Sequence, residues 1–138
     1  CIASDHRSGR VLFLLWRGLL YYLQLNKLRY MFGCCSLATQ DPMEGWALYT
    51  RLQRSGNVLP DFNLEARPEY VCEQIEVGEE VVAGSEMPRL MRLYIDYGAT
   101  ICSQPALDRA FKTIDYLALF DLHDIPPKLM KVFKKDIA

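Results

Sequence analysis

Three groups of residues in this chain have the types and spacing to do chemistry. The first is the knot His6-Arg7-Ser8-Gly9-Arg10, which runs straight into the apolar stretch Val11 to Leu25. A turn holding Ser8 and Gly9 at the mouth of a helix leaves the first backbone N–H groups without partners inside that helix, at the positive end of its dipole. Such a start can receive an anion. Arg7 and Arg10 add full charges and forked donors suited to phosphate, and His6 offers a base beside them. The second group is Gly33-Cys34-Cys35, inside an apolar run. A strand glycine marks a bulge or a place where something approaches the backbone closely. Buried thiols pack as small hydrophobes more often than they act as nucleophiles. The third is Asp108 and Asp115, which flank one short connection and could take a proton or hold an ammonium. Each group has a plainer role: a helix cap for Arg7 to Arg10, core packing for the thiols, a turn cap for Asp108, and a hairpin closure or a pairing with Arg109 for Asp115.

The elements that would position these groups can be read from pattern. The chain has 138 residues, enough for one domain spanning 1–138 with a single core. Sixteen Lys and Arg against 17 Asp and Glu give a net charge of −1, which argues against a general nucleic-acid binder. Five cysteines, with no CxxC or Cys/His spacing, suggest neither a metal site nor a disulfide framework; reduced thiols in a cytoplasmic protein are expected. The stretch from Val11 to Leu25 falls short of the roughly 20 residues a membrane span needs, and Arg17 interrupts it, so a buried core helix is expected.

Cys1 to Ser4 reads as the tail of a strand, and Arg10 to about Asn26 as a helix apolar on nearly all sides. Leu28 to Leu37 is a continuous apolar run of strand length, the pattern of a central strand covered on both faces. Asp41-Pro42-Met43-Glu44 is a helix start, with Asp41 as cap and Glu44 completing a capping box. Gly45, Leu48, Tyr49 and Leu52 follow at helical spacing, and Ser55-Gly56 ends the helix. Asn57 to Ser85 is broken by Pro60 and Pro68 and carries an acidic excess, with Arg67 its lone cation. It reads as an exposed excursion or a mobile cover over a groove. Met87, Leu90, Met91 and Tyr94 form a helical stripe ended by Gly98. Ala99 to Gln104 and Asp115 to Asp121 read as strands, joined through Pro105 to Arg109. Pro126 to Lys135 reads as a short basic amphipathic helix. The alternation of helix and strand predicts an α/β (α+β) fold, a mixed sheet with helices packed on it.

These motifs resemble the GNAT superfamily, whose Arg/Gln-x-x-Gly-x-Gly/Ala signature aligns with His6 to Val11. In that superfamily a helix start holds the phosphate of a pantetheine arm, and two splayed strands hold the arm's amides. The resemblance narrows with DHRSGRVLFLLWRGL, RYMFGCCSL and the Asp41-Pro42 helix start. MPRLMRLYIDYGATICSQPALDRAFKTIDYLALFDL adds a second block. There Pro88, Leu90, Tyr94, Gly98, Ala99, Pro105, Ala106, Asp108, Phe111, Thr113 and Asp115 match the pattern of the hemolysin-like, ornithine-lipid-synthesis N-acyltransferases.

That resemblance implies an N-acyltransferase that moves a fatty acyl group from acyl carrier protein, or acyl-CoA, to the amino group of an amino acid such as ornithine, in lipid biosynthesis. Arg7, Ser8, Gly9 and Arg10 would hold the donor's phosphate. Gly33, Cys34 and Cys35 would line the gap that takes its arm and carbonyl, and Asp108 or Asp115 would accept the amine's proton. The expected partners are acyl carrier protein and the amine acceptor, with a basic C-terminal helix that could meet anionic lipid at the inner face of the membrane, and no nucleic acid. In the family several strands and helices precede the Arg7 turn. The chain, beginning at Cys1, is therefore expected to be the C-terminal part, with an open sheet edge that favours a homo-oligomer. Two other readings are a non-catalytic module binding acyl carriers or lipids, and an acyl-homoserine-lactone-type synthase.

Overall fold

The structure, a computed structural model, describes residues 2–62 and 64–134. Its elements run α1 (Gly9–Leu25), β1 (Tyr30–Leu37), α2 (Pro42–Arg54), α3 (Glu79–Gly84), α4 (Arg89–Asp96), β2 (Ala99–Ile101), β3 (Ala106–Asp108), β4 (Thr113–Asp121) and α5 (Pro127–Lys134). Short 3-10 turns stand at Ser4–His6 and Pro68–Tyr70. This is an α+β fold, a four-stranded sheet with helices packed on it. Chain contacts gather into two units, 1–31 with 121–138 and 32–120.

The sheet is ordered β1-β4-β2, with β3 also paired to β4. β2 and β3 run antiparallel to β4, with Ile101 opposite Ala118 and Ala106 opposite Asp115. A strict alternation of burial runs along β4. Ile114, Tyr116, Ala118 and Phe120 are buried, while Thr113, Asp115, Leu117 and Leu119 turn the other way.

The buried face of β4 receives α2. Asp41 caps that helix as its sequence predicts, its Oδ1 accepting from Met43 N at 2.9 Å. The other half of the expected capping box differs: the Asp41 backbone N–H donates to Thr39 Oγ1 at 3.1 Å, so Thr39 does the work assigned to Glu44. Gly45, Leu48, Tyr49 and Leu52 all face the core, as their spacing requires. Gly45 is where helix and sheet come closest. A Cβ there would lie 2.7 Å from Ile114 Cδ1, and the Tyr116 hydroxyl donates to the Gly45 carbonyl at 2.8 Å. Gly56, just past α2, takes a φ of 72°, the left-handed conformation that closes a helix end.

Four expectations need correction. No strand precedes α1 among the described residues. Residues 3–7 curl into a turn, because His6 N and Arg7 N donate to the nearby carbonyls of Ala3 and Ser4. Cys1, the first residue of that expected strand tail, lies outside the described residues. Second, β1 is an edge strand with Cys35 its one buried residue, and Phe32 is 72% exposed. A run of apolar residues gives strand length but does not say how many neighbours the strand has. Third, α1 buries only Trp16, Leu20 and Leu23. Its Leu14, Leu15, Leu19, Tyr21, Tyr22 and Leu25 are exposed. Fourth, the connection from Pro105 to Arg109 contains a strand of its own, β3. Lys112, at φ 57°, reverses the chain into β4. Of the basic helix, Lys135 lies outside the described residues.

Candidate functional site

A cleft of about 610 Å³ lies entirely within residues 32–120, and Cys34, Asp108 and Asp115 all line it. Three elements bring them together. Cys34 comes from β1 and Asp115 from β4, on the face opposite the Tyr116 side chain. Asp108 ends β3, paired with Thr113 at the start of β4. Leu117, two residues beyond Asp115 on the same face, adds apolar wall, with Ser103, Gln104 and Ala106 from the chain between β2 and β4.

The remaining wall comes from a strap. Leu64, Glu65, Ala66, Arg67 and Tyr70 line the cleft from the segment that reads in sequence as an exposed excursion or a mobile cover. Backbone bonds hold this segment along the sheet. Leu59 N donates to the Ile101 carbonyl at 2.8 Å, Ile101 N to the Asn57 carbonyl at 2.8 Å, and Gln104 N to the Leu64 carbonyl at 3.2 Å. Val71 bridges to Ala106 on the far side of the strap. Arg109 Nη1 donates to the Glu69 carbonyl at 2.8 Å, so this guanidinium ties the strap to the β3–β4 turn.

The two aspartates are held differently. Asp108 Oδ1 accepts from the backbone N–H groups of Ala110 and Phe111, each at 2.9 Å, which caps the turn. Oδ2 takes neither bond. Asp115 Oδ1 accepts from Thr113 Oγ1 at 3.0 Å. Both carboxylates act on Cys34. Burial first, then Asp115 and Asp108, push its thiol pKa up. The Cys35 thiol is pushed further, to about 12, chiefly by burial, and donates to the Tyr116 carbonyl at 3.6 Å. Nucleophilic thiols need depressed pKa values and electropositive surroundings. Cys34 and Cys35 have the reverse: Cys34 serves as wall of the cleft, Cys35 packs in the core on the other face of the strand, and the carboxylates are the candidate acid–base groups.

The start of α1 belongs to the other unit and stands on its own terms. Ser8 is the cap, its Oγ accepting from Val11 N at 3.3 Å. Arg7 folds back, with Nε donating to the Ile2 carbonyl at 3.1 Å. Arg7, Ser8, Gly9 and Arg10 are all exposed. Gly33 is exposed too, with nothing within 4 Å of where its Cβ would stand, so no close packing there requires glycine.

Sequence reasoning placed Asp108, Asp115 and Cys34 among the candidates but not Glu65, Arg67, Tyr70, Ser103 and Gln104. The available signal was Arg67, one cation in an acidic stretch, immediately before a proline. Pro68 biases its predecessor towards extended backbone, and Arg67 has φ −59° and ψ 154°. Among the described residues no cluster of His, Cys, Asp and Glu could hold a metal ion, and no helix is long and apolar enough to cross a membrane.

No family model matches the chain, and no solved structure matches it. Curated proteins do. Over 140 residues the chain is 26% identical to the L-ornithine N(alpha)-acyltransferase of Rhizobium meliloti (strain 1021), covering 99% of the chain and 47% of that protein. It is 26% identical over 137 residues to the protein of the same name from Brucella abortus (strain 2308), covering 96% and 49%. The like-named protein of Rhodobacter capsulatus is 25% identical over 143 residues, covering 99% and 54%. The chain thus spans about half the length of the curated relatives it matches, and along nearly all of its own length it resembles bacterial L-ornithine N(alpha)-acyltransferases.

Proposed function

We propose that the chain serves an N-acyltransferase of lipid biosynthesis, which moves a fatty acyl group from a thioester donor to the α-amino group of ornithine. One observation supports this above the others. The two aspartates inside the block that resembles the family lie on one cleft, beside a thiol whose pKa burial and these carboxylates push up.

Amide formation from a thioester needs an uncharged amine. Asp115 takes a proton from the acceptor's ammonium, and the freed nitrogen attacks the thioester carbonyl carbon. The C–N bond forms and the C–S bond breaks. Two protons leave the nitrogen in all: the one Asp115 takes first is released to solvent, and the second, lost as the new C–N bond becomes an amide, passes through the restored Asp115 carboxylate to the departing thiolate. Asp108, with Oδ1 committed to the turn, holds the second ammonium. The donor is acyl carrier protein or acyl-CoA. Taken by itself, the start of α1, with Arg10 and the first amides of the helix, is suited to an anion such as the pantetheine phosphate.

The test supplies long-chain acyl carrier protein or acyl-CoA with L-ornithine and follows Nα-acylornithine by mass spectrometry. Transfer is expected with the unaltered chain. Asp115→Asn should lower it by about 10²- to 10⁴-fold, the usual range for loss of a general base. Full activity of Asp115→Asn would remove the assigned base, and no transfer by the folded protein with either donor would overturn the reading.

A further inference from the structure

The cleft carries more charge than a proton transfer uses. Among the described residues lining it are three carboxylates, Glu65, Asp108 and Asp115, and one cation, Arg67. Asp108 and Asp115 stand on paired strands and both bear on the Cys34 thiol. Arg67 comes from the strap. Its place there is bracketed by the bond from Gln104 N to the Leu64 carbonyl on one side and the bond from Arg109 to the Glu69 carbonyl on the other. The backbone of Arg67 is therefore fixed over a sheet surface that carries two anions.

A ligand that satisfies such a lining has ammonium groups for the carboxylates and one carboxylate for the guanidinium. A guanidinium meets a carboxylate through two parallel N–H···O bonds, which fix orientation as well as adding energy. An amino acid with two ammonium groups and one carboxylate answers Asp108, Asp115 and Arg67 and leaves only Glu65 over. A diamine without a carboxylate would leave Arg67 unanswered, and a monoamino acid would leave a second carboxylate unanswered beside Glu65.

We propose that Arg67 is the positioning residue that takes the carboxylate of the amino acid acceptor and orients its amine towards Asp115. This rests on the acyl transfer reading above and assigns a selectivity to the cleft that the chemistry alone does not require. The guanidinium sorts acceptors by their carboxylate, and Asp108 and Asp115 sort them by positive charge.

Binding to the full chain tests this without any acyl donor. L-ornithine, L-ornithinamide and 1,4-diaminobutane are titrated separately and followed by NMR shift changes. L-ornithine should bind about tenfold or more tightly than either carboxylate-free analogue, the scale expected for hydrogen bonds to a charged group. Arg67→Gln should weaken L-ornithine by about that factor and leave the two analogues unchanged, so the preference vanishes. A purely structural role would weaken all three alike. Equal affinity of the unaltered chain for all three ligands overturns the proposal, whether or not the variant folds. Selective L-ornithine binding with no acyl transfer under any donor would sink the catalytic reading and leave the carboxylate clamp standing. No binding of any of the three would sink both.

Discussion

The helix α1 and the strand β4 are both dense in apolar residues, and they end in opposite environments. In β4 every second residue is buried, and Ile114 and Tyr116 are fully enclosed. In α1, three of 17 residues are buried, while Leu25 is 67% exposed and Tyr22 58%. The difference follows from geometry rather than composition. A strand in mid-sheet has two neighbours and two faces, so an alternating pattern assigns each side chain a destination. A helix apolar on all sides names no preferred face, and its burial depends on how many elements surround it. Charge divides in the same way. Residues 1–31 and 121–138 hold nine Lys and Arg against four Asp, whereas residues 32–120 hold seven against thirteen Asp and Glu. The unit that carries the cleft is thus the acidic one, a charge balance that favours cationic ligands over anionic ones.

The sharpest way to break this comparison is a pair of identical substitutions. Leu48 on α2 is fully buried against the sheet, and Leu25 on α1 is largely exposed. Leu48→Ala should cost about 2–5 kcal/mol of unfolding free energy, the cost of a cavity in a packed core. Leu25→Ala should change stability by less than about 0.5 kcal/mol, as exposed positions usually do. Urea denaturation of the two variants reads both. Equal losses would mean that α1 is packed as tightly as α2 and that the contrast is false.

A second substitution probes the closest approach in the better packed unit. Gly45→Ala puts a methyl carbon 2.7 Å from Ile114 Cδ1 and 3.2 Å from its Cγ2, and Ile114 is fully enclosed. Alanine favours a helix by about 1 kcal/mol over glycine. Overpacking of about 1–3 kcal/mol should outweigh that gain and leave the variant less stable. A thermal melt shifted upwards would show that Ile114 can yield. Ile114→Val beside Gly45→Ala should recover part of the loss, because it removes the atom that clashes.

How much could be read beforehand depends on which physical rule each segment obeys alone. The α2 helix was legible because Asp41, Pro42 and the spacing of Gly45, Leu48, Tyr49 and Leu52 are local signals that tertiary contacts did not override. β4 is legible for most of its length from its apolar run, and Asp108 and Asp115, which line the cleft, are marked in sequence as flanking one short connection. β1 was legible as a strand and illegible as an edge, because edge or centre is decided by Thr113 to Asp121, some 80 residues away. β3 has three residues and exists through its pairing with β4 and the bridge from Val71, so it carries no periodic mark. The strap was illegible for the same reason. Its backbone bonds to Ile101, Cys102 and Gln104 are made by main-chain atoms, which carry no sequence signature. Arg67 therefore stood out only as a charge of the wrong sign for its surroundings.

The smallest effect comes from the other unit, and it sharpens the comparison by separating charge from packing there. Arg29 meets Asp121 through two donors, Nε at 3.0 Å and Nη2 at 2.6 Å. The Asp121 carboxyl is held below its ordinary pKa, first by the bond from Arg29, which burial opposes and to which the N–H of His123 adds. A carboxyl whose folded pKa is lowered contributes stability in full above its unfolded value, near 3.9, and loses it as pH falls through the folded value. Stability measured from pH 6 down to pH 2 should therefore fall more steeply in the unaltered chain than in Asp121→Asn, and the two curves should converge at the acid end. Arg29 stays charged throughout this range, so all of the difference belongs to Asp121. Parallel curves would mean that the ion pair is fully screened by solvent and adds nothing to the stability of this unit.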